Sequence, residues 1–225
     1  MRMLEEAGID YEHKQEFGDI ASVSSAFGAK GSAFAPPVVV DGSYVISQST
    51  ACALCKLTGH TKHGRESKLT LFSLNRLRVT DVGKCCGFTK GIDESKAVQY
   101  LIDIVDTFEG GLNKAADSGP TLKEYLEGER FAKQVGNIDR SIKGPFYFGD
   151  SPTAPDFFLC NLLDWFDHML LVRLKEEKGV DALGPFKKIQ GVLNGIRNLE
   201  SYKRYKGVPI IKDDFKTKDE VFKNY

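Results

Sequence analysis

"APPVVVDGSYVISQST", residues 35–50, sets two prolines before a three-valine run, an Asp-Gly pair and a second apolar run, then ends on amide and hydroxyl side chains. Apolar residues 38–40 and 44–46 flank Asp41-Gly42. Glycine accepts positive φ without steric cost, so Asp-Gly between two apolar runs predicts a tight antiparallel hairpin. Pro36 and Pro37 fix φ and remove two backbone donors just ahead of the first strand. Ser47 or Ser49 suits the cap of a helix that follows the second.

Working outward toward the amino terminus, residues 1–7 read as a short helical piece stopped by Gly8, and residues 9–15 alternate as a strand does. Residues 18–34 are small and glycine-rich, which predicts a loop carrying a short helix. The first part of the chain is therefore mixed α and β. Toward the carboxy terminus, strand patterns vanish from about residue 93. Val98, Leu101, Ile102, Val105, Phe108 and Leu112 recur at helical spacing and predict one long amphipathic helix. Leu122, Tyr125, Leu126, Phe131, Val135, Ile138 and Ile142 predict a second, with Thr121 as its cap after Gly119-Pro120. In "SPTAPDFFLCNLLDWF" Thr153 and Asp156 stand three apart, the spacing of a capping box, and Pro155 falls in the first turn, where no intrahelical amide bond is lost. Two shorter helices close the chain. Residues 61–92 show no sustained period and carry an excess of basic residues, so they read as an insertion or linker between the two parts.

The totals limit the chemistry. The chain has 225 residues, is 41% apolar, and balances 31 Lys and Arg against 31 Asp and Glu. That size and composition suit a packed core, and the absence of net charge gives no global field toward nucleic acid or anionic lipid. No apolar run reaches the roughly 20 residues of a membrane span, and residues 1–15 lack a signal-peptide core. The expectation is a cytoplasmic protein with no nucleic-acid or membrane partner. Five cysteines, at 52, 55, 85, 86 and 160, are read as reduced thiols. Cys52 and Cys55 have redox-motif spacing but come after Gln48 inside the presumed helix rather than at its amino end, where a helix dipole would lower a thiol pKa. Four histidines, at 13, 60, 63 and 168, have no metal-site spacing, so no metal is expected. Tyr11 and Tyr44 stand at strand positions and read as packing residues, as do Tyr100, Phe108 and Trp165 at helical ones.

The order of these parts, with "PPVVVDGSYVISQS" at 36–49, "QYLIDIVDTFE" at 99–109 and "GPFYFGDSPTAPDFFLCNLLDW" at 144–165, resembles the cytosolic glutathione transferase family over most of the chain. The resemblance implies a truncated α/β thioredoxin-like amino-terminal domain, residues 1–60, and an all-α helical-bundle domain, residues 93–225. It implies conjugation of the glutathione thiolate to a small electrophilic, apolar acceptor by a homodimer, with glutathione as co-substrate and no other cofactor. A cis-proline at Pro37, or Pro36 in the alternative register, would present backbone groups to the cysteinyl part of glutathione. Gln48 and Ser49 would hold its γ-glutamyl end, and Asp103, or Asp106 one turn on, would meet its amino group. Lys30 is a candidate for the glycyl carboxylate, and Asp156 is assigned to structure. The family's activating Tyr, Ser or Cys follows its first strand. Residues 1–7 match the end of the helix after that strand, so the activating residue is expected to be missing from this chain, and the alternative is a non-catalytic binding or scaffold protein of the same fold.

Overall fold

The computed structural model of the chain describes residues 6–8, 11–14, 16–23, 38–41, 44–47, 69–72, 88, 91–206, 221 and 225. Most of them are helical, and four short strands stand together in the first half. The chain divides into two compact units, one of Met1–Glu94 with Asn198–Asp214 and one of Ser95–Arg197 with Phe215–Tyr225.

In the first unit a helical turn at residues 6–7 ends at Gly8, whose φ of 64° takes the left-handed conformation that favours glycine. Strand β1 (Tyr11–Lys14) follows, then helix α1 (Phe17–Val23), whose Ile20 is fully buried. Strands β2 (Val38–Asp41) and β3 (Tyr44–Ser47) pair antiparallel, with Asp41 opposite Tyr44 and Val38 opposite Ser47. The hairpin that the Asp-Gly signal predicts is present, but Asp41 is the last paired residue of β2 rather than part of the two-residue connection.

Strand β4 (Leu69–Phe72) was not anticipated from periodicity, since it lies inside the stretch read as an insertion. It is an interior strand. The sheet order is β1-β4-β2-β3, with β4 parallel to β1 and antiparallel to β2. Its four residues alternate Leu-Thr-Leu-Phe, the period of a strand, but four positions are too few to stand out in an unpatterned stretch. Residues 61–92 thus supply the strand that joins the two halves of the sheet.

The second unit is built from helices packed on the core their spacing predicts. Helix α2 (Glu94–Thr107) buries Ala97, Tyr100, Leu101 and Ile104. It continues as a π-helical segment, Phe108–Asn113, in which Phe108, Gly111 and Leu112 are buried. Helices α3 (Gly119–Glu127) and α4 (Glu129–Ser141) replace the single helix expected there. The break is at Gly128, with extended φ of −78° and ψ of 158°; a Cβ at that position would come within 2.7 Å of the Glu124 carbonyl oxygen. The cap of α3 is Ser118 rather than Thr121. Its Oγ accepts from the Thr121 amide at 3.3 Å, which leaves Pro120 in the first turn.

Helix α5 (Ala154–Phe166) starts at the predicted capping box and is buried along nearly its whole length. A π-helical turn, Asp167–Leu171, carries it into α6 (Val172–Lys178). Helix α7 (Lys187–Arg197) buries Ile189, Val192, Leu193 and Ile196. Helix α8 (Glu200–Lys206), assigned with the first unit, is the last helix of the described stretch 91–206.

A cap supplied from a distant part of the sequence locks α4 to α7. The Asp139 carboxylate accepts from the amides of Lys188 and Ile189, both at 3.0 Å, and the Lys188 ammonium returns a 2.7 Å bond to the Ile142 carbonyl. One carboxylate thereby satisfies two of the free amides at the start of α7 and complements its positive end. Asp139→Ala is expected to cost about 1–2 kcal/mol in urea denaturation, the usual loss for a helix cap.

Candidate functional site

The hairpin register decides where the sequence-predicted site residues enter and leave the sheet. Val38 opens β2 and stands opposite Ser47, the last residue of β3. Val38 also stands opposite Phe72, the last residue of β4, and Phe72 stands opposite Lys14, the last residue of β1. Lys14, Phe72, Val38 and Ser47 therefore form one row along a single end of the sheet. The chain enters β2 there from Pro36 and Pro37, and leaves β3 there toward Gln48 and Ser49. These four residues, together with Lys30, Cys52 and Cys55, lie outside the described residues. Three of the four strands, β1, β3 and β4, point their carboxyl ends at this row, the end at which open sheets with parallel strands gather their ligand-binding loops.

Lys14, in the row itself, carries the only described charge there. Its ammonium lies 2.7 Å from the Glu12 carboxylate, two residues back on the same face of the strand. The bond to Glu12 raises the Lys14 pKa, with a smaller contribution from Asp19. Both side chains are more than a third exposed, so solvent screens the pair and it contributes little to stability.

Asp103 lies in the second unit, half-buried on α2. Burial raises its pKa and the neighbouring Asp106 adds to the rise, while the Gln99 side chain and Lys96 favour its ionised form. Lys96 Nζ donates to Gln99 Oε1 at 3.0 Å, so a cation, an amide and a carboxylate follow one another along this side of the helix. Val98 and Ile102, one turn apart on α2, are 36% and 47% exposed.

Tyr100 and Phe108 belong to the packed interior of the helical unit, and Trp165 is half-buried at its margin. Tyr100 stacks on Tyr147 at 4.8 Å between ring centroids, Phe108 packs on Phe166, and Trp165 meets Phe166 edge-on at 4.7 Å. The Tyr147 hydroxyl is buried with no hydrogen-bond partner among the described residues, and burial, reinforced by Asp156 and Asp103, raises its pKa well above the usual phenol value. Cys160 is fully buried and forms no disulfide among the described residues.

Asp156 holds the turn that leads into α5. Its carboxylate accepts from the Tyr147 amide at 2.8 Å, the Thr153 amide at 2.8 Å and the Thr153 hydroxyl at 2.5 Å. Burial nonetheless lifts its pKa to about 6, against the opposing pull of those donors. Arg197, at the end of α7, bridges Asp164 and Asp167, each at 2.6 Å, and so ties α7 to the carboxy-terminal end of α5. Asp156, Asp164 and Arg197 are accounted for by packing and capping.

Among the described residues no cluster of His, Cys, Asp or Glu could hold a metal ion, and no helix is long and apolar enough to cross a membrane. Comparisons with protein-family models, with curated proteins and with solved structures find no match to this chain. The component that sequence reasoning missed is β4, which gives the row its fourth strand end.

Proposed function

We propose that the chain is a glutathione transferase that adds the glutathione thiolate to a small electrophilic, apolar acceptor. The observation that supports this reading is the row of Lys14, Phe72, Val38 and Ser47, because Val38 follows Pro36-Pro37 and Ser47 precedes Gln48-Ser49 in the sequence. A mixed sheet with an antiparallel hairpin on one side and a parallel pair on the other supports a thioredoxin-like first half. In this reading Pro36 and Pro37 present backbone groups to the cysteinyl part of glutathione, Gln48 and Ser49 hold its γ-glutamyl end, and Asp103 meets its amino group. Glutathione is the co-substrate, and no metal or further cofactor takes part. The exposed Val98 and Ile102 beside Asp103 support a second copy docked along α2, as a homodimer in the cytoplasm.

The activating group is the point on which an enzyme and a binding protein differ. A hydroxyl that donates to the glutathione sulfur favours thiolate over thiol and brings a pKa near 8.5 toward neutrality. In the family that group follows the first strand. No described residue is assigned that role. The second reading is a non-catalytic binding or scaffold protein, favoured by the departure of β4 from the family's chain order.

Capture on immobilised glutathione with turnover of a chlorodinitrobenzene-type acceptor supports the enzyme. Capture without turnover leaves the binding protein, and failure to bind overturns both. Gln48→Ala is expected to weaken glutathione binding about tenfold with the urea midpoint unchanged; an equal loss of stability would return Gln48 to a capping role.

A further inference from the structure

Among the described strands β4 is the last in sequence, yet it is interior in the sheet. Among the described residues β1 pairs with β4 alone, so without β4 its backbone has no described partner in the sheet. β2 keeps β3 on one side and needs β4 on the other. The slot between β1 and β2 is thus a strand-binding site, parallel to one wall and antiparallel to the other. Among the described residues no short connection ties β4 to either neighbour. The β2–β3 hairpin is held by a two-residue connection, whereas residues 48–68 separate β3 from β4 and residues 73–93 separate β4 from α2.

We propose that β4 is an exchangeable strand, and that the slot between β1 and β2 also accepts Leu69–Phe72 of a second copy of this chain. Each copy then completes the sheet of the other. The backbone bonds of the exchanged pair are the same as those of the closed monomer, so the two states differ in chain entropy rather than in contacts. A link the length of residues 48–68 returns β4 to its own sheet at an effective concentration on the order of millimolar, so in the full chain exchange grows with protein concentration.

The registers make this testable by link length. β3 and β4 run in the same direction, because each is antiparallel to β2. β3 ends in the row with Phe72, whereas β4 begins at the opposite end of the sheet. The link must therefore travel back along a whole strand and across two strand spacings, a distance of about 14 Å. A variant lacking residues 49–67 joins Ser47 to Leu69 through Gln48 and Lys68 only, a reach of about 10 Å. It cannot fold back, so β3 and β4 become one continuous extended segment whose second half reaches only another copy's slot.

Hydrogen exchange at the amides of residues 12–14 that face β4 reads whether the slot is filled, since β4 is the only partner of β1 among the described residues. In the shortened-link chain those amides are expected to stay protected and the protein to run as a dimer by native mass spectrometry. Adding Leu71→Pro, which removes a strand amide and cannot be accommodated in an interior strand, is expected to abolish the protection by at least tenfold in exchange rate. Exposed amides in the shortened-link chain at every concentration would overturn the proposal, as would protection in a monomer. Glutathione capture by the full-length chain is a separate measurement, so failure of the exchange is distinguishable from failure of the functional reading.

Discussion

Asp156→Ala is expected to remove about 3 kcal/mol of stability at neutral pH, or roughly 10 °C in Tm, the largest single-residue loss in the helical unit. The carboxylate is fully buried and receives three donors. Alanine removes the acceptor but leaves the Tyr147 and Thr153 amides buried, and an orphaned donor costs more than the bond it made was worth. The substitution also frees the turn before α5, the helix buried along nearly its whole length. Calorimetry of the variant should show the fall in Tm; a loss below about 1 kcal/mol would mean the turn is held by packing alone.

The same residue gives a pH dependence of definite sign. Its folded pKa of about 6 exceeds the ordinary 3.8, because burial disfavours the charge. The folded state therefore holds the proton more tightly than the unfolded state. That advantage is complete below about pH 4 and is lost as the pH rises through 6, a swing on the order of 3 kcal/mol. Asp156→Asn does not titrate. Stability of the wild type relative to Asp156→Asn, followed by urea denaturation, is thus expected to fall between pH 4 and pH 7, and a rise over that range would contradict the assignment.

The second large effect is at Gly111, in the π-helical segment after α2. The Tyr125 hydroxyl occupies the space a side chain would fill: a Cβ at Gly111 would overlap the oxygen and lie 2.9 Å from Cζ. That hydroxyl is 3.2 Å from the Thr107 carbonyl and 3.0 Å from the Gln134 side-chain oxygen, so it joins the end of α2 to α4. Gly111→Ala must drive the ring away from both, at a cost of about 2 kcal/mol from overpacking and lost bonding. Tyr125→Phe alone removes only the hydroxyl and is expected to cost about 1 kcal/mol. With the oxygen gone, the added methyl meets only the ring, so the double variant is expected to be more stable than the sum of the two losses. Strict additivity would show that the methyl and the hydroxyl do not compete for this space.

The features that were legible in the sequence are those set by neighbours a few residues apart. Asp41-Gly42 specified the hairpin, Thr153 and Asp156 specified the start of α5, and the apolar spacing from Val98 to Leu112 located α2 and its extension. Features set by distant partners were not legible. Gly128 divides α3 from α4 although the apolar spacing runs through it, because close approach to the Glu124 carbonyl rather than polarity decides the break. Ser118 caps α3 in place of Thr121 because the helix begins ahead of Pro120. β4 was illegible for the strongest reason: its partners are β1 and β2, far back in the chain, and four residues hold too little pattern to announce a strand. For the candidate site, sequence singled out Pro36, Pro37, Gln48 and Ser49, which lie outside the described residues, and the strand registers show only that Val38 and Ser47, their neighbours in sequence, stand opposite each other. Asp139, which caps α7 from α4, has no local signal at all.

The late position of β4 also bears on how the protein is made. β1, α1 and the hairpin are all synthesised before Leu69, so the sheet cannot close until β4 has followed them out of the ribosome. Translation speed and chaperone occupancy over residues 48–72, rather than the strength of the finished sheet, should govern the yield of correctly closed molecules.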